Sequence, residues 1–425
     1  MSVRHLPVRP DLDQLQRQAK ELLRAIHSGD AGAVAELHQH HPDPMDPSSA
    51  KLADAQLVLA RSYLASSWPR LASAVRLADA IWRNDSESVL TLITSNPALI
   101  YDDVLILTDS GWGPPMTFAA NLGRDDIIRL LYQHGAKDVE SAARRAALQG
   151  HADTARMIWA LAGRPSPESV GWGLASPAYV LSVEATAVLF ALGIRVDGPH
   201  GADTNAIEHL LGTDSRNPAA KHRILEMWVE HGFEPPDTPV MALHRGRIDL
   251  LAEHLERDPD LLTRTFEKSE IYPLAPACQR EPYTAQGTPV HGTTLLHIAA
   301  YFDELEIAEW LLDRGMDPDE PAAVQSDGFG GYTALFSTVV SQHNFWVNHG
   351  KGLPDDGRFT QLLLDRGADP NARASIRARL EEGHGGGPAR DYRNVTPRSW
   401  GEQYHAKIFV SGESLRLIES YGGGL

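Results

Sequence analysis

The 425-residue chain holds a single cysteine, Cys278. One thiol closes no internal disulfide, so nothing in the sequence suits an oxidising compartment. No apolar run reaches the ~18 residues of a membrane span, and no membrane contact is expected. Residues Met1 to Lys20 lack the apolar core of a secretory signal, so the expected location is cytoplasmic. Cations are also short. Lys and Arg total 39 against 56 Asp and Glu, a net charge of -17. Phosphate backbones are bound by neutralising cations, so nucleic acid is not an expected partner.

Chemical signatures are missing too. There is no G-x-S-x-G, H-E-x-x-H, Walker A, C-x-x-C or EF-hand loop. Cys278 has no neighbour in sequence that would lower its pKa and reads as inert. The His38, His40 and His41 tract sits in the Pro-rich stretch HQHHPDPMDPSS and reads as a solvated loop. Gly383 to Gly387 has neither the preceding strand nor the following Lys-Ser/Thr of a phosphate loop. No catalytic residue, cofactor or metal site is therefore expected.

What is present is internal repetition. Thr294-Leu295-Leu296-His297-Ile298-Ala299 opens a unit that closes with Asp313-Arg314-Gly315-Met316-Asp317-Pro318-Asp319. Between them Ile307, Trp310, Leu311 and Leu312 fall at helical spacing, and Gly315 stands where a helix stop wants a left-handed residue. Asp303 reads as the N-cap of this second helix, with Glu306 three residues on. The next unit opens at Gly331-Tyr332-Thr333-Ala334-Leu335 and copies the ending as Asp365-Arg366-Gly367-Ala368-Asp369-Pro370-Asn371. Thr238-Pro239, Pro115-Met116-Thr117 and Thr396-Pro397 open weaker copies. The extra residues lie in Ser341–Gly357 and Ser375–Arg393, and another long stretch separates Thr263 from Pro289.

The opening at Thr294 resembles the T-P-L-H-x-A signature of ankyrin repeats, with Leu295 in place of Pro. The segments Leu12–Ala25 and Leu52–Leu71 resemble the helical part that precedes the repeats of bacterial ankyrin proteins. The resemblance implies an all-α ankyrin-repeat solenoid of roughly nine or ten helix–turn–helix units with hairpin loops. It implies a helical N-terminal cap over residues 1–75, divergent repeats over 76–262 and better-defined repeats with inserts over 263–425. It gives His297 a structural part, supporting a loop by hydrogen bonds. Trp112 and Trp172, each between glycines, are expected to tuck into neighbouring units.

The functional expectation is a scaffold or adaptor that holds a protein or peptide on its concave face. The candidate partner-binding residues are Asp327, Phe329 and Tyr332 at one hairpin tip, Gln342, His343 and Trp346 in the following insert, and Asp391, Tyr392 and Arg393 at the last hairpin. Aromatic and Arg side chains at exposed tips are common in binding surfaces. Arg216, Asn217, Lys221 and His222 form a further candidate group after Asp214 and Ser215. The alternative is an enzyme or small-molecule binder whose pocket is built by the inserts between residues 283 and 405. Convergence of His291, His343, Tyr392 and Arg393 would favour it.

Overall fold

The structure is a computed structural model, described for residues 10–101, 113–167, 171–198, 201–202, 204–213, 216–280, 289–340, 356–378, 389–405 and 407–425. The chain divides into two compact units, Met1–Pro165 and Ser166–Leu425.

The first unit opens with α1 (Leu12–His27), α2 (Ala31–His40) and α3 (Leu52–Ser62). Asp11 starts α1 by accepting the amides of Asp13 and Gln14. Leu15, Ala19, Leu22 and Ile26 form the buried stripe that the sequence spacing announces. The histidine tract differs from expectation. His38 and His40 belong to the last turn of α2, where Asp30 caps the start and Ala33 and Leu37 supply the buried face. The Pro-rich linker begins only after them. Three helix pairs follow: α4 (Trp68–Trp82) with α5 (Ser86–Ser95), α6 (Pro115–Asn121) with α7 (Asp125–Gln133), and α8 (Val139–Leu148) with α9 (Ala152–Leu161). First helices stack on first helices, α4 on α6 and α6 on α8, while α5 packs on α7.

Among the described residues the second unit holds six pairs, of which the first three are α10 (Ala175–Tyr179) with α11 (Val183–Ala191), α12 (Thr204–Leu211) with α13 (Pro218–Glu230), and α14 (Pro239–His244) with α15 (Ile248–Arg257). After the short α16 (Lys268–Ile271) and α17 (Pro276–Arg280) come α18 (Leu295–Phe302) with α19 (Leu305–Asp313), α20 (Ala334–Ser337) with α21 (Arg358–Asp365), and α22 (Pro397–Gln403) with α23 (Gly412–Ser420). Together these make the helix–turn–helix stack that the repetition implies. Trp172, Trp228 and Trp400 are buried in this unit. Trp112 lies outside the described residues.

The loops between pairs form a row of hairpins. Phe266 donates its amide to the Thr293 carbonyl (2.8 Å), Ala323 to Gly292 (2.8 Å), and Gly330 to Ser375 (2.8 Å). The row ends in an antiparallel pair of strands, β1 (Ala374–Ala378) and β2 (Arg390–Val395). The Asp-Pro strings at the start of these loops also join neighbours. The Asp317 carboxylate accepts the Asp319 amide, and the Asp369 carboxylate accepts the Asn371 amide, closing two like turns. Asp319 then accepts the Asp369 amide of the next repeat (2.8 Å), and Asn371 accepts that of Gly424 (2.7 Å). The repeated Asp-Pro-Asp/Asn string thus makes the turn with its first residue and ties neighbours together with its third. Gly315 and Gly367 close their helices at φ 88° and 91°, as the stop signal requires.

Asp303 does not cap α19. It ends α18 in the left-handed region, at φ 61°, and Glu304 takes the N-cap position without a side-chain bond to the helix. Among the described residues no helix is long and apolar enough to cross a membrane.

Candidate functional site

The two hairpin tips named from sequence come together. Phe329 sits between the guanidinium of Arg377 on β1, 4.0 Å from its ring centre, and that of Arg393 on β2, at 4.4 Å. Arg377 also bonds Asp391 (2.6 Å) and Asp327 (2.9 Å), and Arg393 reaches Asp391 at 3.4 Å. Cations over an aromatic face are attracted by its ring quadrupole. Only 5% of Phe329 is exposed, so the ring lies beneath the arginines instead of standing out at the tip as the sequence suggests. The hydrogen bond from Arg377 holds the exposed Asp391 carboxyl below its ordinary value. Beside this cluster lies a small pocket of about 130 Å³, lined by His291, Gln325, Asp327, Phe329, Ser375 and Arg377. His291 Nδ1 stands 3.0 Å from the Glu267 carboxylate.

Tyr332 and Tyr392 do not belong to that surface. Tyr332 is buried and donates its hydroxyl to the Pro289 carbonyl; burial raises its pKa. Tyr392 points to the opposite face of β2 from Asp391 and Arg393, as alternation along a strand demands. It packs edge-on to Trp400, with its hydroxyl 2.7 Å from His405 Nδ1. Tyr392 and Arg393 therefore do not converge. Gln342, His343 and Trp346 lie outside the described residues, as do Asp214, Ser215 and Gly383 to Gly387. Arg377 was passed over in sequence because it stands inside a long insert. Its register opposite Asp391 is the signal that singles it out.

His297 holds the repeat together. Its Nδ1 lies 2.9 Å from the Thr294 hydroxyl and its Nε2 2.9 Å from the Tyr332 carbonyl. A carbonyl only accepts, so Nε2 carries the proton and Nδ1 accepts from the threonine. Burial lowers the imidazole to about 4, against the opposing pull of the Tyr332 carbonyl. The ring is therefore neutral.

A second cluster lies in the core. Lys221 of α13 meets Glu304 at 2.9 Å, with side chains only 3% and 2% exposed. His222 contacts the other oxygen of Glu304 at 2.8 Å, and His244 Nδ1 lies 3.4 Å from the Lys221 ammonium. Lys221 also stands over the Phe302 ring at 4.4 Å, and Arg216 over Tyr301 at 4.4 Å. Burial lowers the Lys221 ammonium, and Glu304 opposes it. Burial alone would raise Glu304, but the charge of Lys221 and the bond from His222 outweigh it and keep the carboxyl below its ordinary value. Asp303 shows the contrary case: burial pushes it up to about 6 despite Arg216 and Arg358. Lys221 and His222 were grouped with exposed tips in sequence, whereas the fold uses them inside, against a glutamate 82 residues further on.

The imidazole of His222 reaches Glu304 by passing over Gly246, which sits at φ 67°. A Cβ there would lie 2.3 Å from the ring. Gly246→Ala is expected to cost about 2 kcal/mol, from backbone strain and a displaced His222. The shift in urea midpoint of the full chain checks this. A cost below about 0.5 kcal/mol would show that the ring yields freely.

A comparison with family models matches residues 291–322 to the ankyrin repeat. No curated protein matches the chain. Among solved structures, the human ASB11 ankyrin repeat domain is similar at 15% identity, over 73% of this chain and 99% of that one. Its TM-score is 0.23. The matched residues include the Thr294 to His297 signature, whose histidine ties one repeat to the next hairpin, and helix pairs of the same build stand on both sides. Residues 291–322 are thus similar to an ankyrin repeat, set among helix pairs of like build.

Proposed function

We propose that the protein is a scaffold that binds another protein or a peptide along its row of hairpin tips. Ankyrin repeats in general serve as protein-interaction surfaces, and stacked repeats offer extended faces rather than single pockets. The observation that carries the reading is the Arg377–Phe329–Arg393 stack, with Asp327 and Asp391 beside it. It gathers two cations and two acids from two successive hairpins onto one outward surface, laid over the buried Phe329 ring. Arginine side chains are enriched among the residues that carry the binding energy of protein interfaces. The inner helices are less available here: every residue of α18 is buried, as are Val240 to His244 of α14.

The test is quantitative affinity capture from the native source, comparing the wild-type chain with Arg393→Glu and with Arg416→Glu on α23. Arg393→Glu is expected to lower recovery of a specific partner at least tenfold, since a hot-spot side chain contributes about 2 kcal/mol or more. Arg416→Glu should leave recovery unchanged. Equal recovery from both variants would remove the tips from the binding surface.

A further inference from the structure

The last hairpin departs in charge from the chain that carries it. Residues 373–395 hold five arginines against three acids, in a sequence whose net charge is -17. Other arginines of the second unit are matched: Arg223, Arg245 and Arg366 each meet a carboxylate. At the hairpin the two carboxylates of the tips, Asp327 and Asp391, both turn to Arg377. Arg393 is left with one contact to Asp391 at 3.4 Å, and its side chain is 60% exposed. Arg373 is exposed and donates to the Asn394 carbonyl of β2 at 2.9 Å. Arg390 is exposed and meets no carboxylate among the described residues. A guanidinium carries several N–H donors in a fork that matches a carboxylate, so most donors of these three side chains stay open to a partner.

Their placement sets the shape of that partner. β1 pairs with the inner edge of β2, and Gly330 bridges Ser375 on the far side of β1. Among the described residues no strand pairs with the outer edge of β2. Alternation puts Arg390 on one face of β2 with Tyr392, and Arg393 on the other with Asp391. A chain lying along the outer edge therefore meets a guanidinium on either face. The cationic patch is only one hairpin wide. A long polyanion would run on from it over an acidic protein, whereas a stretch of a few acidic residues would not. The preceding hairpin adds Val324, 66% exposed and packed beside Gly330, which offers an apolar contact to a side chain and none to a phosphate backbone.

We infer that the outer edge of β2, with Arg373, Arg390 and Arg393, binds a short acidic segment of the partner protein in extended form. This rests on the hairpin row being the binding surface and specifies what that surface recognises. Peptides that join a sheet edge take affinity from main-chain hydrogen bonds and selectivity from alternate side chains. Opposite charges on neighbouring strands add to the pairing. Attraction between the arginines and the acids also speeds encounter, and it weakens as salt is raised.

Selection from a random peptide library on the full chain, followed by fluorescence titration of the recovered peptides, tests it. The peptides should share a run of Asp or Glu, and changing those acids to Asn or Gln should weaken binding about tenfold or more. Arg390→Glu should weaken the acidic peptides to a similar degree. Arg390 holds no hydrogen bond or ion pair among the described residues, so this change leaves the hairpin intact. Arg416→Glu on α23 should alter nothing. An empty selection, or acidic peptides that keep full affinity in Arg390→Glu, would overturn the inference. Peptides that depend on Arg393 but carry no acids would overturn it too, while leaving the hairpin row as the surface. Peptides indifferent to both Arg390→Glu and Arg393→Glu would overturn that reading as well. A single-stranded oligouridylate that binds as tightly as the peptides, and is lost in the same variants, would show a polyanion site and contradict the inference.

Discussion

Replacing Glu304 by Gln should destabilise the Ser166–Leu425 unit by about 3–5 kcal/mol, the usual cost of leaving one member of a buried ion pair without its partner. The change removes a charge and almost no volume. It strands the Lys221 ammonium, 3% exposed, against Phe302 and a neutral His244. It also weakens the bond that draws His222 across Gly246. The double variant Glu304→Gln with Lys221→Met should recover most of the loss, because uncharged groups of similar size replace a buried pair at little cost. Urea unfolding of both variants, followed by exchange at α18 amides, gives the two numbers. Equal destabilisation in the single and double variants would mean that the effect is one of packing and not of charge.

The second large effect is a pH dependence centred on His297. Its folded value of about 4 lies below the ordinary histidine value of 6.5. The neutral ring bridges Thr294 and the Tyr332 carbonyl, and a proton on Nδ1 would take away the acceptor that Thr294 uses. The stabilisation is complete above pH 6.5 and falls as the pH drops towards 4, by about 3 kcal/mol in all. Asp303, raised to about 6, works in the opposite direction: its neutral form suits the fold, so its contribution is lost as pH rises from about 4 to 6. Comparing wild type with His297→Gln cancels the Asp303 part. The difference in unfolding free energy between the two chains should shrink by about 3 kcal/mol from pH 7 to pH 4. A difference independent of pH would show that the ring titrates alike in the folded and unfolded chains.

What the sequence disclosed was what depends on near neighbours. The Thr294 to His297 opening, the glycine stops at 315 and 367 and the Asp-Pro turns each work within a few residues, so spacing alone exposes them. The tip residues Asp327, Phe329, Asp391 and Arg393 were visible for the same reason, lying in recognisable hairpins. Tyr392 was grouped with its neighbours because they are adjacent, although a strand sends alternate side chains to opposite faces. Lys221 and Glu304 were beyond reach, since a basic helix residue reads as solvated until a carboxylate from a distant turn is known to meet it. The packing of α16 on α14 and of α17 on α12 was likewise hidden, because these helices are too short for a periodic pattern and offer backbone groups to His244 and Glu208.

The most direct test of binding at the hairpin row is site-specific photo-crosslinking in cells. A photoreactive residue replaces Arg393 at the tip in one chain and Arg416 on α23 in another, since both side chains are exposed. The expected result is a discrete protein adduct from position 393 and none of the same mass from position 416. Adducts of the same mass from both positions, or from 416 alone, would contradict the assignment of the partner surface to the tips.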